Sequence, residues 1–298
     1  MLVQLLPMIL IVLIGLNLRR TGLIQPSETK TIGKLLTHLA LPAIILKALL
    51  TVSLTPDLIY LPLSALVVVI GLTLIGWLGS GWLKGGRATR GAFITAFPTF
   101  EGGAVGYPLM LLSFGELGLS RLVLFDLAQA LYLLTVVYGL SAWYGQNEVT
   151  GQVVIQKLTR TPFFWAILLG LGGNALGLSN DLLINLLDLI GGSFLPLVLL
   201  LLGLEFQMQM ASVGFYSLLA LAKIGCGLGL GWLVASAFGL TGAELAAVLL
   251  GAALPPSLLT LLFAQENQLD TGFTISLISI AIPLYGLVMT PLLRMLAN

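Results

Sequence analysis

Ten apolar stretches follow one another along this chain, at roughly 2–18, 34–54, 57–83, 91–114, 119–145, 162–178, 182–204, 212–238, 243–264 and 272–296. Each is close to the ~20 residues a helix needs to cross a ~30 Å hydrocarbon core. No soluble fold accommodates that pattern. Only 8% of the 298 residues are charged, against about 25% in a soluble domain, so the charges cannot cover a water-facing surface of this size. The sequence therefore predicts an all-α polytopic membrane protein of ten transmembrane helices, with the lipid bilayer as its solvent. A net charge of +1 gives no reason to expect nucleic acid. The lone Cys226 excludes an intramolecular disulfide and a cysteine metal cluster, and the lone His38 excludes a histidine-rich metal site. No metal and no cofactor are expected.

The basic residues set the orientation, because they collect on the cytoplasmic side. Arg19, Arg20, Lys30, Lys34, Lys84, Arg87, Arg90, Lys157 and Arg160 all flank connections on one face, whereas Arg121 and Arg294 stand at the other. Both termini should then lie outside, in the inner (plasma) membrane of a bacterium. The first stretch has no basic start and no A-x-A-like site, and Arg19-Arg20 follow it, so it reads as a retained span. The polar connection 146–161 divides the chain into 1–145 and 162–298, each with five spans, and is expected to be a cytoplasmic linker.

The halves resemble each other at an offset of about 150. Leu41-Pro42 answers Leu195-Pro196, and Gly76-Trp77-Leu78 answers Gly231-Trp232-Leu233. Ala96–Phe114, with Pro108, answers Ala252–Phe263, with Pro255-Pro256. Five spans is an odd number, so the second half must cross the membrane upside down. A 5+5 inverted repeat with interrupted helices in matching places is the mark of a secondary transporter.

The interruptions are dense. The fourth span reads Phe97-Pro98-Thr99-Phe100-Glu101-Gly102-Gly103-Ala104-Val105-Gly106-Tyr107-Pro108, which cannot sustain an unbroken helix. Pro255 and Pro256 remove two backbone donors from the ninth. Glu101 and Pro255 each stand ~16 Å along their helices from Arg90 and Glu244, so both breaks reach the midplane, from opposite sides. Broken backbone at that depth must be buried in protein or line a cavity. Helices 4 and 9 are thus expected to cross, with Glu101, Gly102, Gly103, Gly106, Pro108, Pro255 and Pro256 as the substrate site.

These stretches also carry a resemblance. Leu41-Pro42-Ala43-Ile44, Gly103–Leu109, Phe114-Gly115-Glu116-Leu117-Gly118-Leu119, Asp126, Ala252-Ala253-Leu254-Pro255 and Ala264-Gln265-Glu266 are similar, in order and spacing, to the auxin efflux carrier family, which includes the plant PIN-type carriers. The resemblance implies an inverted-repeat fold with two crossing broken helices. It also implies a scaffold part that often mediates homodimers, and export of small organic anions. It departs at one position: the family commonly has an asparagine seven residues before the fourth-span proline, contacting the substrate carboxylate, where this chain has Glu101.

Charges inside a span are costly, so each is a functional candidate. Lys47 lies ~20 Å above the cytoplasmic end of its span and Asp126 ~10 Å below the outer face, so the two could pair; Gln129 shares the Asp126 face. The plant relatives have a comparable lysine–aspartate arrangement beside the crossing. The alternative for Lys47 is snorkelling to the interface. Lys223 lies near the depth of Glu101, where it could neutralise Glu101 or Asp188, or serve a structural ion pair. Glu101 itself has three readings: a group exchanging a coupling proton, a permanent charge locked to Lys223, or a recognition site for a cation.

Enzyme classes are excluded. Intramembrane serine proteolysis lacks a core histidine, and H-E-x-x-H is absent. Channel selectivity rings are not visible. The expectation is a secondary carrier of a small-molecule substrate, a carboxylate by resemblance, moved by alternating access with a coupling proton or cation. A channel, or a cation- or amine-selective carrier using Glu101, is the alternative.

Overall fold

A computed structural model describes residues 2–53, 55–145, 156, 159–160, 162–205 and 213–296. The predicted linker 146–161, with Lys157, falls almost entirely outside the described residues. Among those described, the chain is all helix, with no strand. In chain order the helices are α1 (Leu2–Arg20), α2 (Pro26–Leu35), α3 (Leu41–Thr51), α4 (Tyr60–Gly79), α5 (Arg87–Ala96), α6 (Tyr107–Tyr132) and α7 (Tyr138–Tyr144). They continue with α8 (Pro162–Ala175), α9 (Asp181–Gly191), α10 (Phe194–Glu205), α11 (Val213–Ala237), α12 (Gly242–Ala253), α13 (Leu259–Glu266) and α14 (Thr271–Leu296).

Six helical stretches among the described residues are long and apolar enough to cross a membrane: Thr31–Thr51, Pro56–Trp82, Gly102–Tyr144, Asp181–Leu201, Val213–Ala237 and Thr271–Met289. The third has 43 residues, or ~65 Å, about twice the thickness of a hydrocarbon core. It is divided at Gly115, whose φ of 62° and ψ of −155° leave the helical region. Glycine is suited to that conformation because it lacks a Cβ. The break falls where the sequence places the end of the fourth span. α4 turns Leu63, Leu66, Val67, Ile70, Leu74 and Trp77 outward, an apolar face that water would not tolerate and lipid does. The chain is an integral membrane protein.

The helices gather into two compact units, each drawing one segment from each half of the sequence. The first comprises Met1–Ser53 and Thr159–Gln207; the second, Leu54–Leu158 and Met208–Asn298.

In the first unit α1 packs on α10 and α8 on α3. A Cβ on Gly15 would stand 2.4 Å from Leu200 O, and one on Gly203 only 2.1 Å from Val12 O, so backbone meets backbone, as small residues permit in membranes. Gly170 sits likewise on Leu49, where a Cβ would lie 2.8 Å from Leu49 Cβ. Arg19 Nη1 donates to Leu204 O at 3.1 Å, and Asn174 Nδ2 donates to Leu49 O at 2.8 Å. Gly15 and Gly170, Arg19 and Asn174, and Leu49 and Leu204 are each 155 residues apart, so the two contacts are the same contact with the halves exchanged. α9 packs its Leu183, Ile184, Leu187 and Ile190 against Ala43, Leu46 and Leu50 of α3.

The second unit repeats the device. α4 lies on α6, α11 on α12 and α14, and α12 on α6. A Cβ on Gly76 would touch Phe97 at 3.3 Å, and one on Gly231 would meet Ala252 Cβ at 3.0 Å; both partners are again 155 residues apart. Thr89 of α5 bonds Asp270 at 2.9 Å. Glu244 of α12, 155 residues after Thr89, accepts from Arg121 Nε at 2.7 Å.

Candidate functional site

Two broken helices meet within the second unit. α5 ends at Ala96, the chain is non-helical through Thr99–Glu101, and a π-helical turn, Gly102–Gly106, leads into α6. α12 ends at Ala253, and the non-helical Leu254–Ser257 leads into α13. Each break leaves backbone groups that must find partners in a water-poor interior. They find each other. Glu101 N–H donates to Pro255 O at 2.9 Å, and Ser257 N–H donates to Thr99 Oγ1 at 3.1 Å. Leu258 N–H donates to Glu101 Oε2 at 2.7 Å, while Ala104 N–H donates to Glu101 Oε1 at 3.2 Å.

One carboxylate therefore caps two helix starts, its own and that of α13. Each free helix N-terminus carries roughly half a positive elementary charge, so two of them balance about one negative charge. Glu101 is 9% exposed and makes this bridge where the resemblance implies a substrate carboxylate.

The glycines let the elements close. A Cβ on Gly102 would stand 2.5 Å from Asp126 Oδ2, and one on Gly106 would stand 2.8 Å from Leu254 Cδ1. Gly103 is half-buried in the same turn. Pro255 and Pro256 occupy the break of the second crossing strand, where no helical N–H is missed. Pro108 is different. It is the second residue of α6, which continues without a gap from the Gly102–Gly106 turn, so it lies inside a helix, past the break itself.

The charged candidates separate. Lys47 and Asp126 have different partners: Lys47 of α3 makes an ion pair with Asp188 of α9 in the first unit, whereas Asp126 accepts from Tyr107 O–H at 2.7 Å in the second. Lys223 is bonded neither to Glu101 nor to Asp188. It is fully buried, its Nζ has no hydrogen-bond partner among the described residues, and it rests 5.0 Å from the centre of the Phe100 ring. Phe100 in turn stacks on Phe125, with centroids 5.8 Å apart. Gln129 Nε2 donates to Phe100 O at 3.4 Å, so it supports the break on the face predicted for it. Thr99, Tyr107 and the Leu258 N–H were not candidates. A threonine hydroxyl has no distinctive spacing, and a backbone donor leaves no trace in composition.

Broken helices joined at one buried carboxylate make this crossing the candidate site, and known proteins bear on its use. A family model described as "Membrane transport protein" matches residues 1–291. The chain is also 24% identical over 298 residues to an "Uncharacterized transporter" of Methanothermobacter thermautotrophicus, with 95% of this chain and 97% of that protein covered. With nearly its whole length matched, this chain belongs to the membrane transport protein family, that of the auxin efflux carriers.

Proposed function

We propose that this transporter is a secondary carrier that moves a small organic carboxylate by alternating access, and that the substrate carboxylate takes the place Glu101 holds at the crossing. The single observation behind this reading is the bridge from Glu101 to the N–H groups of Ala104 and Leu258. Two helix starts aimed at one point suit an anion, and the chain supplies its own until a substrate competes for the same donors.

The wider architecture in this proposal is ten spans in a 5+5 inverted repeat, with both termini outside the inner membrane. Support comes from the paired contacts at a constant offset of 155, Gly15 with Gly170, Arg19 with Asn174 and Gly76 with Gly231. A homodimer formed through the first unit follows from the family resemblance.

The test is uptake of radiolabelled small organic acids and amines into vesicles holding the purified protein. The proposal expects saturable uptake of one or more carboxylates and none of the amines. Saturable uptake of amines alone would replace it with a cation-selective carrier using Glu101, and uptake that never saturates would indicate a channel.

A further inference from the structure

We propose that Asp126 is a proton-binding site of this carrier, holding an exchangeable proton on Oδ1 while Glu101 stays ionised. The argument is a charge inventory of one small region. Among the described residues, the buried charged side chains of the second unit are Glu101, Asp126, Lys223 and Arg121. Arg121 is paired with Glu244 of α12. Glu101 has two backbone donors and two helix termini, enough to compensate its charge. Lys223 of α11 lies over the face of Phe100, a placement that suits a cation, and no carboxylate bonds it.

Asp126 has far less. Among the described residues its one hydrogen-bond donor is the Tyr107 hydroxyl, itself fully buried, and Gly102 also stands close to Oδ2. Of the elements packed on α6, α4 carries Tyr60 alone as a titratable group, at its first residue. α12 carries Glu244, already paired, and the Gly102–Gly106 turn is flanked by Glu101 and Tyr107. None of these brings a positive charge to Asp126. A buried carboxylate with one neutral donor is a poor anion, whereas a carboxyl with its proton fits.

The placement also supplies a coupling. Asp126 touches Gly102 and Tyr107, the residues at the two ends of the turn that aims Ala104 N–H at Glu101. A proton leaving Oδ1 for water creates a charge against that turn, and one arriving removes it. Binding of the proton is thereby tied to the geometry of the anion site, and a carboxylate and a proton can travel together.

This inference takes its meaning from the carrier reading, but its test needs no substrate. The full chain is reconstituted in phosphatidylcholine vesicles, and infrared difference spectra are recorded across a pH titration. A protonated-carboxyl C=O band should appear, persist in Glu101→Gln, vanish in Asp126→Asn and shift in frequency in Tyr107→Phe, which removes its hydrogen bond. If Asp126→Asn does not fold, Asp126→Glu should shift the same band. Absence of any such band, its loss in Glu101→Gln, or its survival unshifted in both Tyr107→Phe and the Asp126 variants would overturn the assignment. Failed transport with this pattern intact would indict the carrier reading alone.

Discussion

The two units bury polar groups by different means. Both pack glycine against backbone, at Gly15 and Gly203 in the first and at Gly227 in the second, but in the first the mid-helix ion pair among the described residues, Lys47–Asp188, has an aspartate that is half exposed. In the second, Glu101, Asp126 and Lys223 are buried around broken backbone, and their partners are N–H groups, a tyrosine hydroxyl and an aromatic face. The glycine contacts give rigidity in both units, because helices locked at backbone distance cannot slide without losing their packing. The second holds charges whose compensation can be exchanged, which a binding site requires. Stability should therefore rest on close-packed glycines such as Gly203, and function mainly on the second unit's polar groups.

Gly203→Leu should break the first half of that contrast most severely. Its Cβ would lie 2.1 Å from Val12 O, and such overpacking costs about 1–3 kcal/mol or more where backbone cannot move. Gel filtration should show little monodisperse protein, whereas Gly172→Ala in α8, with open space around it, should behave as wild type. Equal behaviour of the two would mean that the glycine contacts do not set stability.

Gly102→Ala should have the next largest effect, and in the other unit. Its Cβ would press on Asp126 Oδ2, so transport should fall by at least about tenfold, the equivalent of ~1.4 kcal/mol, while the protein remains monodisperse. Loss of folding instead would show that the crossing is structural in the same way as the first unit.

The smallest effect is expected for Lys47→Met with Asp188→Leu. A single substitution strands a charge, but removing both replaces a partly exposed pair worth about 0–1 kcal/mol. Vesicle uptake should stay within about twofold of wild type. A transport loss as large as that of Gly102→Ala would give this pair a part in coupling and erase the contrast.

Much of this organisation was legible in the chain. Proline and glycine density located both breaks, and depth counting brought them to one level. Gly76-Trp77-Leu78 and Gly231-Trp232-Leu233 already stand at the offset of 155 that the contacts of Gly15, Arg19 and their counterparts share. Side-chain partners were less legible. Asp188 stands seven residues into its helix from Asp181, at nearly the depth of Asp126, and depth alone cannot say which way a helix faces. Depth counting therefore does not separate Asp126 from Asp188 as the partner of Lys47, and the structure gives it Asp188. The grouping into units was hidden for a related reason: the predicted halves are contiguous in sequence, but each compact unit takes helices from both.

The central claim is that Glu101 and the substrate carboxylate compete for the same two helix starts. Steady-state uptake of an identified carboxylate by Glu101→Gln tests it directly. The amide keeps the shape of the side chain but removes the competing charge, so KM should fall by roughly tenfold, a gain of about 1.4 kcal/mol in binding. A KM that rises, or uptake that disappears while the protein stays folded, would show that the substrate needs the Glu101 charge and would contradict the account.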